Sequence, residues 1–112
     1  MALYFYTDKP KTLLTVFKKK IDDGDVVTWS YDDAGDFTHT PLQWKKAAWL
    51  RPSVDSNLLA FYIIKPKNKN ISGEVYGVYH GRFIESMLTH CDTLFTTGAA
   101  TAFAVAGKDN TG

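Results

Sequence analysis

A chain of 112 residues fits one domain and is long enough to close a core without disulfide or metal staples. With 45% hydrophobic and 14% aromatic residues it is not compositionally disordered, and a net charge of +1 lacks the basic excess of a protein devoted to gripping nucleic acid. A single cysteine excludes an internal disulfide.

The opening MALYFYTDKPK has no charged leader followed by a long apolar stretch, so no signal peptide is read and the cytoplasm is the expected compartment. ALYFY predicts a strand. Asp8 is then placed to cap a helix whose first turn holds Pro10. Leu13, Leu14, Phe17 and Ile21 share one face of that helix, and Gly24 stops it. Lys18, Lys19 and Lys20 lie off the apolar stripe and read as a solvated face.

DVVTWSY at 25–31 alternates as a strand does, DDAGD at 32–36 is turn chemistry, and FTHT returns as the partner strand. The three aspartates do not follow a calcium-loop spacing. TPLQWKKAAWLRP at 40–52 admits two readings. Thr40, Pro41 and Gln43 make a helix-start signature, whereas Trp44 through Leu50 suit an edge strand guarded by Lys45 and Lys46. The favoured reading is a short turn followed by a strand, ended by Pro52.

LLAFYIIK at 58–65 is apolar on both faces, as a central strand is, and is far too short to span a bilayer. After the polar loop PKNKNISG, EVYGVYH at 74–80 is expected as a hairpin partner strand, with a helix beginning near Gly81 or Arg82. The small-residue segment after Gly98 is read as a weak edge strand or a mobile tail over 99–112, beside a domain of residues 1–98. The order β-α-β-β-(β)-β-β-α predicts an α+β fold: a mostly antiparallel sheet of about five strands with two amphipathic helices on one face.

The residue types that carry chemistry concentrate in VYHGRFIESMLTHCDTLF, 78–95. On a helix over 82–97, Phe83, Ile84, Met87, Leu88, Cys91, Leu94 and Phe95 form a wide apolar stripe with Cys91 in its middle, so Cys91 reads as a buried hydrophobe. His90 is adjacent in sequence and points about 100° away on a helix, which argues against a catalytic pair. One cysteine and three scattered histidines have no metal-ligand spacing, so neither metal nor cofactor is expected. Glu85 and Asp92 read as the wet face of the helix.

The best local signal is YHGR. A strand leading straight into a helix would offer free N–H groups at Gly81, with His80 and Arg82 as further donors, and such a corner can hold an anion. Three functions remain. The first is a non-enzymatic binding module with an unknown protein partner or a second copy as its ligand, motivated by an aromatic surplus that includes Trp29, Trp44 and Trp49. The second is single-stranded nucleic acid on an aromatic sheet, with Lys45, Lys46, Lys65, Lys67 and Lys69 on phosphates, against which the balanced charge counts. The third is a small-ligand or enzymatic site where His80, Arg82 and His39 converge.

Overall fold

A computed structural model describes residues 2–111. The elements in chain order are β1 (Ala2–Tyr6), α1 (Pro10–Asp22), β2 (Trp29–Tyr31), β3 (Phe37–His39), β4 (Trp49–Asp55), β5 (Leu58–Ile64), α2 (Gly73–Cys91) and β6 (Thr97–Ala100). Among the described residues the strands form one antiparallel sheet of six, in the order β2-β3-β4-β5-β1-β6. The expected α+β class holds, with one strand more than expected.

Alternation divides the sheet into two faces. Leu3 and Phe5 of β1, Phe37 of β3, Leu50 of β4, and Leu59, Phe61 and Ile63 of β5 point to the helices and are fully buried. Leu13 and Phe17 from α1, and Tyr79, Phe83 and Met87 from α2, fill the space above them. Phe83 is the hub. Its ring centroid lies 4.6 Å from that of Phe61, 4.9 Å from Trp29 and 5.2 Å from Phe17. Edge-on and tilted ring pairs of this kind add to the apolar burial itself.

The hairpin β2–β3 turns through Asp32–Asp36, where Gly35 takes the left-handed conformation at φ +85°. The Asp32 side chain accepts from the Asp36 N–H, and Asp36 is buried against Arg51, which donates to it from Nε at 3.1 Å and Nη2 at 2.9 Å. Gly24, at φ +82°, follows α1 as expected. Asp8 is not the cap. The N-cap is Lys9, without a side-chain cap bond, and the Thr7 hydroxyl accepts from the Lys9 N–H instead.

Three other expectations change. Residues 74–80 are not a strand: α2 starts at Gly73, capped by the Ser72 hydroxyl on the Val75 N–H, and runs unbroken to Cys91. Leu94 and Phe95 therefore fall beyond the helix, though still packed on the core. The partners of β5 are β4 and β1. The short turn followed by a strand is present in 40–52, but Trp44 lies in the turn, closed by Trp44 N–H to Pro41 carbonyl and Ala47 N–H to Trp44 carbonyl bonds, and the strand begins only at Trp49. Lys46, at φ 57°, breaks any extended run between them. Nor does Pro52 end β4. Strand β3 pairs with β4 only at Phe37–Leu50, so Pro52 sits where the outer side of β4 has no neighbour needing its missing N–H.

Beyond β6, Thr101 donates its N–H to the Ala2 carbonyl and accepts the Ala2 N–H on Oγ1. Residues 109–110 then lie beside the end of β5, with Asn110 N–H on the Ile63 carbonyl and the Asp109 carboxylate accepting the Ile63 and Val105 N–H groups.

Candidate functional site

The sheet face opposite the helices carries side chains in rows fixed by register. Trp49 sits beside Ile64, Arg51 beside Tyr62 and Ala2, Ser53 beside Ala60, Tyr4 and Ala99, and Asp55 beside Leu58, Tyr6 and Thr97. No helix covers these rows among the described residues, yet Ala2 and Ala60 are fully buried beneath their neighbours. The rings of Tyr4 and Tyr62 meet edge-on at 6.5 Å. Trp49, Tyr4 and Tyr62 are half-buried, and Tyr6 is 45% exposed.

The basic groups of this face lie at one end, where Arg51 is paired with Asp36 and Asp109 also acts on Tyr62. The Lys108 ammonium lies 5.8 Å from the Tyr62 ring centroid, near Arg51 at one end, and Asp55 stands four residues along β4 at the other. Arg51, Ser53, Tyr62, Ile64 and Lys108 help line a shallow pocket of about 300 Å3. Tyr62 has its phenol pKa raised, first by burial and then by Tyr4 and Asp55, so it stays a neutral donor at physiological pH.

The histidines and Arg82 are arranged differently from the sequence expectation. Gly81 and Arg82 lie in mid-helix, so the free N–H groups of a helix start are at Gly73 and not at Gly81. His80 is buried, donates from Nδ1 to the Tyr76 carbonyl at 2.7 Å and packs on the Tyr76 ring at 4.5 Å. Two residues apart on a helix, His80 and Arg82 point about 200° apart and do not converge. Arg82 instead meets His39, with Nη1 3.3 Å from Nε2, while its guanidinium lies 5.8 Å from the Trp44 ring centroid. His39 in turn stacks on Trp29 at 4.4 Å. Of the expected trio, the fold thus brings two together. Nothing in the local sequence joins residue 39 to residue 82. Only the packing of α2 over the end of β3 does so.

The three tryptophans separate in the same way. Trp29 and Trp44 are buried on the helix side, and Trp49 is on the helix-free face. Trp29 Nε1 and Tyr76 Oη are buried without a hydrogen-bond partner among the described residues. Of the lysines expected on phosphates, Lys45 and Lys46 sit in the turn before β4 and Lys65, Lys67 and Lys69 in the loop after β5, none within a strand. A larger cleft of about 530 Å3, which sequence reading missed, lies where β1 leads into α1, lined by Tyr6, Thr7, Asp8, Lys9, Asn57 and residues 93–96. Its walls come from three separate loops, so no linear motif announces it.

No family model, curated protein or solved structure matches this chain. The geometry therefore carries the functional argument. Cys91 is 2% exposed and its thiol pKa is raised, chiefly by burial, so the nucleophilic thiolate is disfavoured. No group of three or more histidine, cysteine or acidic side chains with metal-binding geometry occurs among the described residues, and no helix is long and apolar enough to cross a membrane.

Proposed function

We propose that this protein is a non-enzymatic binding module that associates with a second copy of itself through the helix-free face of the sheet. The observation that carries the reading is the row of Trp49, Tyr62, Tyr4 and Tyr6 on a face that neither helix covers. Aromatic side chains supply large contact area at small entropic cost and are enriched at interfaces.

The charge pattern favours a second copy as the occupant. Lys108 stands at one end of the face and Asp55 at the other, and neither has an ion-pair partner among the described residues. A two-fold axis through the face lays the basic end of one copy over the acidic end of the next, twice per dimer. With a net charge of only +1, two copies approach without long-range repulsion.

Light scattering and sedimentation over a concentration series test this. Dimerisation is expected for the native chain, weakened by Lys108→Glu and by Asp55→Lys, and restored in the double charge swap. A chain that stays monomeric at every concentration overturns the reading.

A second reading has one observation behind it. Arg82 is exposed and has no carboxylate partner among the described residues, so most of its N–H donors are open to an anion. Titration with inorganic phosphate, followed at the Arg82 Nε–H by NMR, tests it; no shift beyond that of Arg51 counts against it.

A further inference from the structure

We infer that His39 is a proton-operated latch that holds the Arg82 guanidinium over the Trp44 ring. The latch is a property of the fold and stands apart from the dimer reading, while it positions the Arg82 on which the anion reading rests.

The tautomer follows from the hydrogen bonds. The carbonyl of Thr28 can only accept, so the His39 Nδ1 lying 2.7 Å from it carries the proton. Nε2 of the neutral ring then presents a lone pair, which receives the Arg82 Nη1–H at 3.3 Å. The same guanidinium lies 5.8 Å from the Trp44 ring centroid, so the imidazole fixes where the cation sits on the indole. His39 cannot easily yield. Its ring is stacked on Trp29 at 4.4 Å, and the residue is only 2% exposed.

A proton on Nε2 replaces the lone pair with an N–H. Donor then faces donor, and cation faces cation, with the imidazole side of the contact buried. The groups that bear on His39 come from each element packed around it. Helix α2 contributes Arg82, Glu85 and, at 6.0 Å between ring centroids, Tyr79. The β2 strand and the residue before it contribute Trp29 and the Thr28 carbonyl, which do not titrate. Burial and Arg82 oppose the imidazolium, the Thr28 carbonyl and Glu85 favour it, and burial is the largest of these effects.

At neutral pH the latch is closed. On acidification His39 keeps its bond to Thr28, and Arg82 leaves Nε2. Glu85, three residues further along the exposed side of α2, is placed to receive the released guanidinium. Trp44 loses its cation, while the Tyr79 hydroxyl keeps the turn before β4 tied to α2.

NMR of the full chain from about pH 8 to about pH 4.5 tests this. The His39 ring nitrogens, the Arg82 Nε–H and the Trp44 indole should change together with a single midpoint. Arg82→Gln, at an exposed position that spares the core, removes the opposing cation. It should move the His39 midpoint upward and abolish the Trp44 response. In His39→Gln, neither Arg82 nor Trp44 should titrate in this range. The inference is overturned if Arg82 and Trp44 do not follow the His39 midpoint, if Arg82→Gln leaves that midpoint in place, or if both groups still titrate in His39→Gln.

Discussion

The Tyr79 hydroxyl, carried by α2, donates a 2.5 Å hydrogen bond to the main-chain carbonyl of Trp44. The Thr38 hydroxyl lies 3.1 Å from the same phenolic oxygen, donates to the Ala48 carbonyl and accepts from the Lys46 N–H. Two side chains thus satisfy the backbone of a turn that has no strand partner. Tyr79→Phe keeps the packing and removes one of the two bonds to the Trp44 carbonyl, which retains the Ala47 N–H, so it should cost about 0.5–1.5 kcal/mol in chemical denaturation. Amide exchange over residues 44–48 should rise in the same variant.

Phe83 touches rings from helix α1 and from four strands, β1, β2, β3 and β5. Phe83→Ala should cost about 3–5 kcal/mol, because the surrounding rings cannot all collapse into the space left. Phe103, 86% exposed on the chain beyond β6, is the control, and its truncation should leave the urea midpoint nearly unchanged.

Gly77 and Gly81 lie on the solvent side of α2, and a Cβ built on either meets nothing within 4 Å. Neither is needed for packing within the chain. Gly77→Ala and Gly81→Ala should each raise stability by about 0.5–1 kcal/mol, seen as a higher thermal midpoint.

His39 has a folded-state pKa below its ordinary value, because burial disfavours the imidazolium. The unfolded chain then binds more protons than the folded one between the two values, so stability rises with pH there. The contribution is fully present above the unfolded histidine pKa of about 6.5 and is lost as pH falls through the folded value. Urea unfolding at about pH 7.5 and about pH 5 should show a larger loss in the native chain than in His39→Gln.

Cys91 packs in the apolar stripe of α2. Labelling by a thiol reagent at neutral pH should be far slower than for a free thiol, and should reach that rate only in denaturant. Cys91→Ser should cost about 1–3 kcal/mol by burying a hydroxyl in apolar surroundings.

The sequence made some elements readable and concealed others for physical reasons. The turn Asp32–Asp36, the two-sided apolar run of β5 and the helix after Pro10 each rest on local chemistry, and each stands where local chemistry put it. The first half of α2 was misread because Val75, Gly77 and Tyr79 alternate with Tyr76, Val78 and His80 in β-prone residue types. The buried set Tyr76, Tyr79, His80, Phe83 and Met87 carries the helical period, and Ser72 carries the cap. The glycines at 77 and 81, facing solvent, diluted that signal. At the site, the separation of Trp44 and Trp49 to opposite sides agrees with their odd spacing, but Trp44 stands in a turn and not in the strand because of a left-handed Lys46, which no side-chain pattern announces. The His39–Arg82 contact spans 43 residues and depends wholly on tertiary packing.

Strand β1 has a consequence for how the chain is made. It is the second strand from one edge, held between β5 and β6, so residues 2–6 wait for one partner made after β4 and a second made only after α2. On the ribosome, Leu3 and Phe5 have no neighbouring strand until Leu58–Ile64 emerges, and the outer side of β1 stays open until Thr97–Ala100 follows. Helix α1 has no completed surface to lie on through most of that interval. Until β5 is made the nascent chain therefore carries residues 2–6 as an unpaired, aromatic, β-prone segment, of the kind that chaperones shield and that aggregates when they do not.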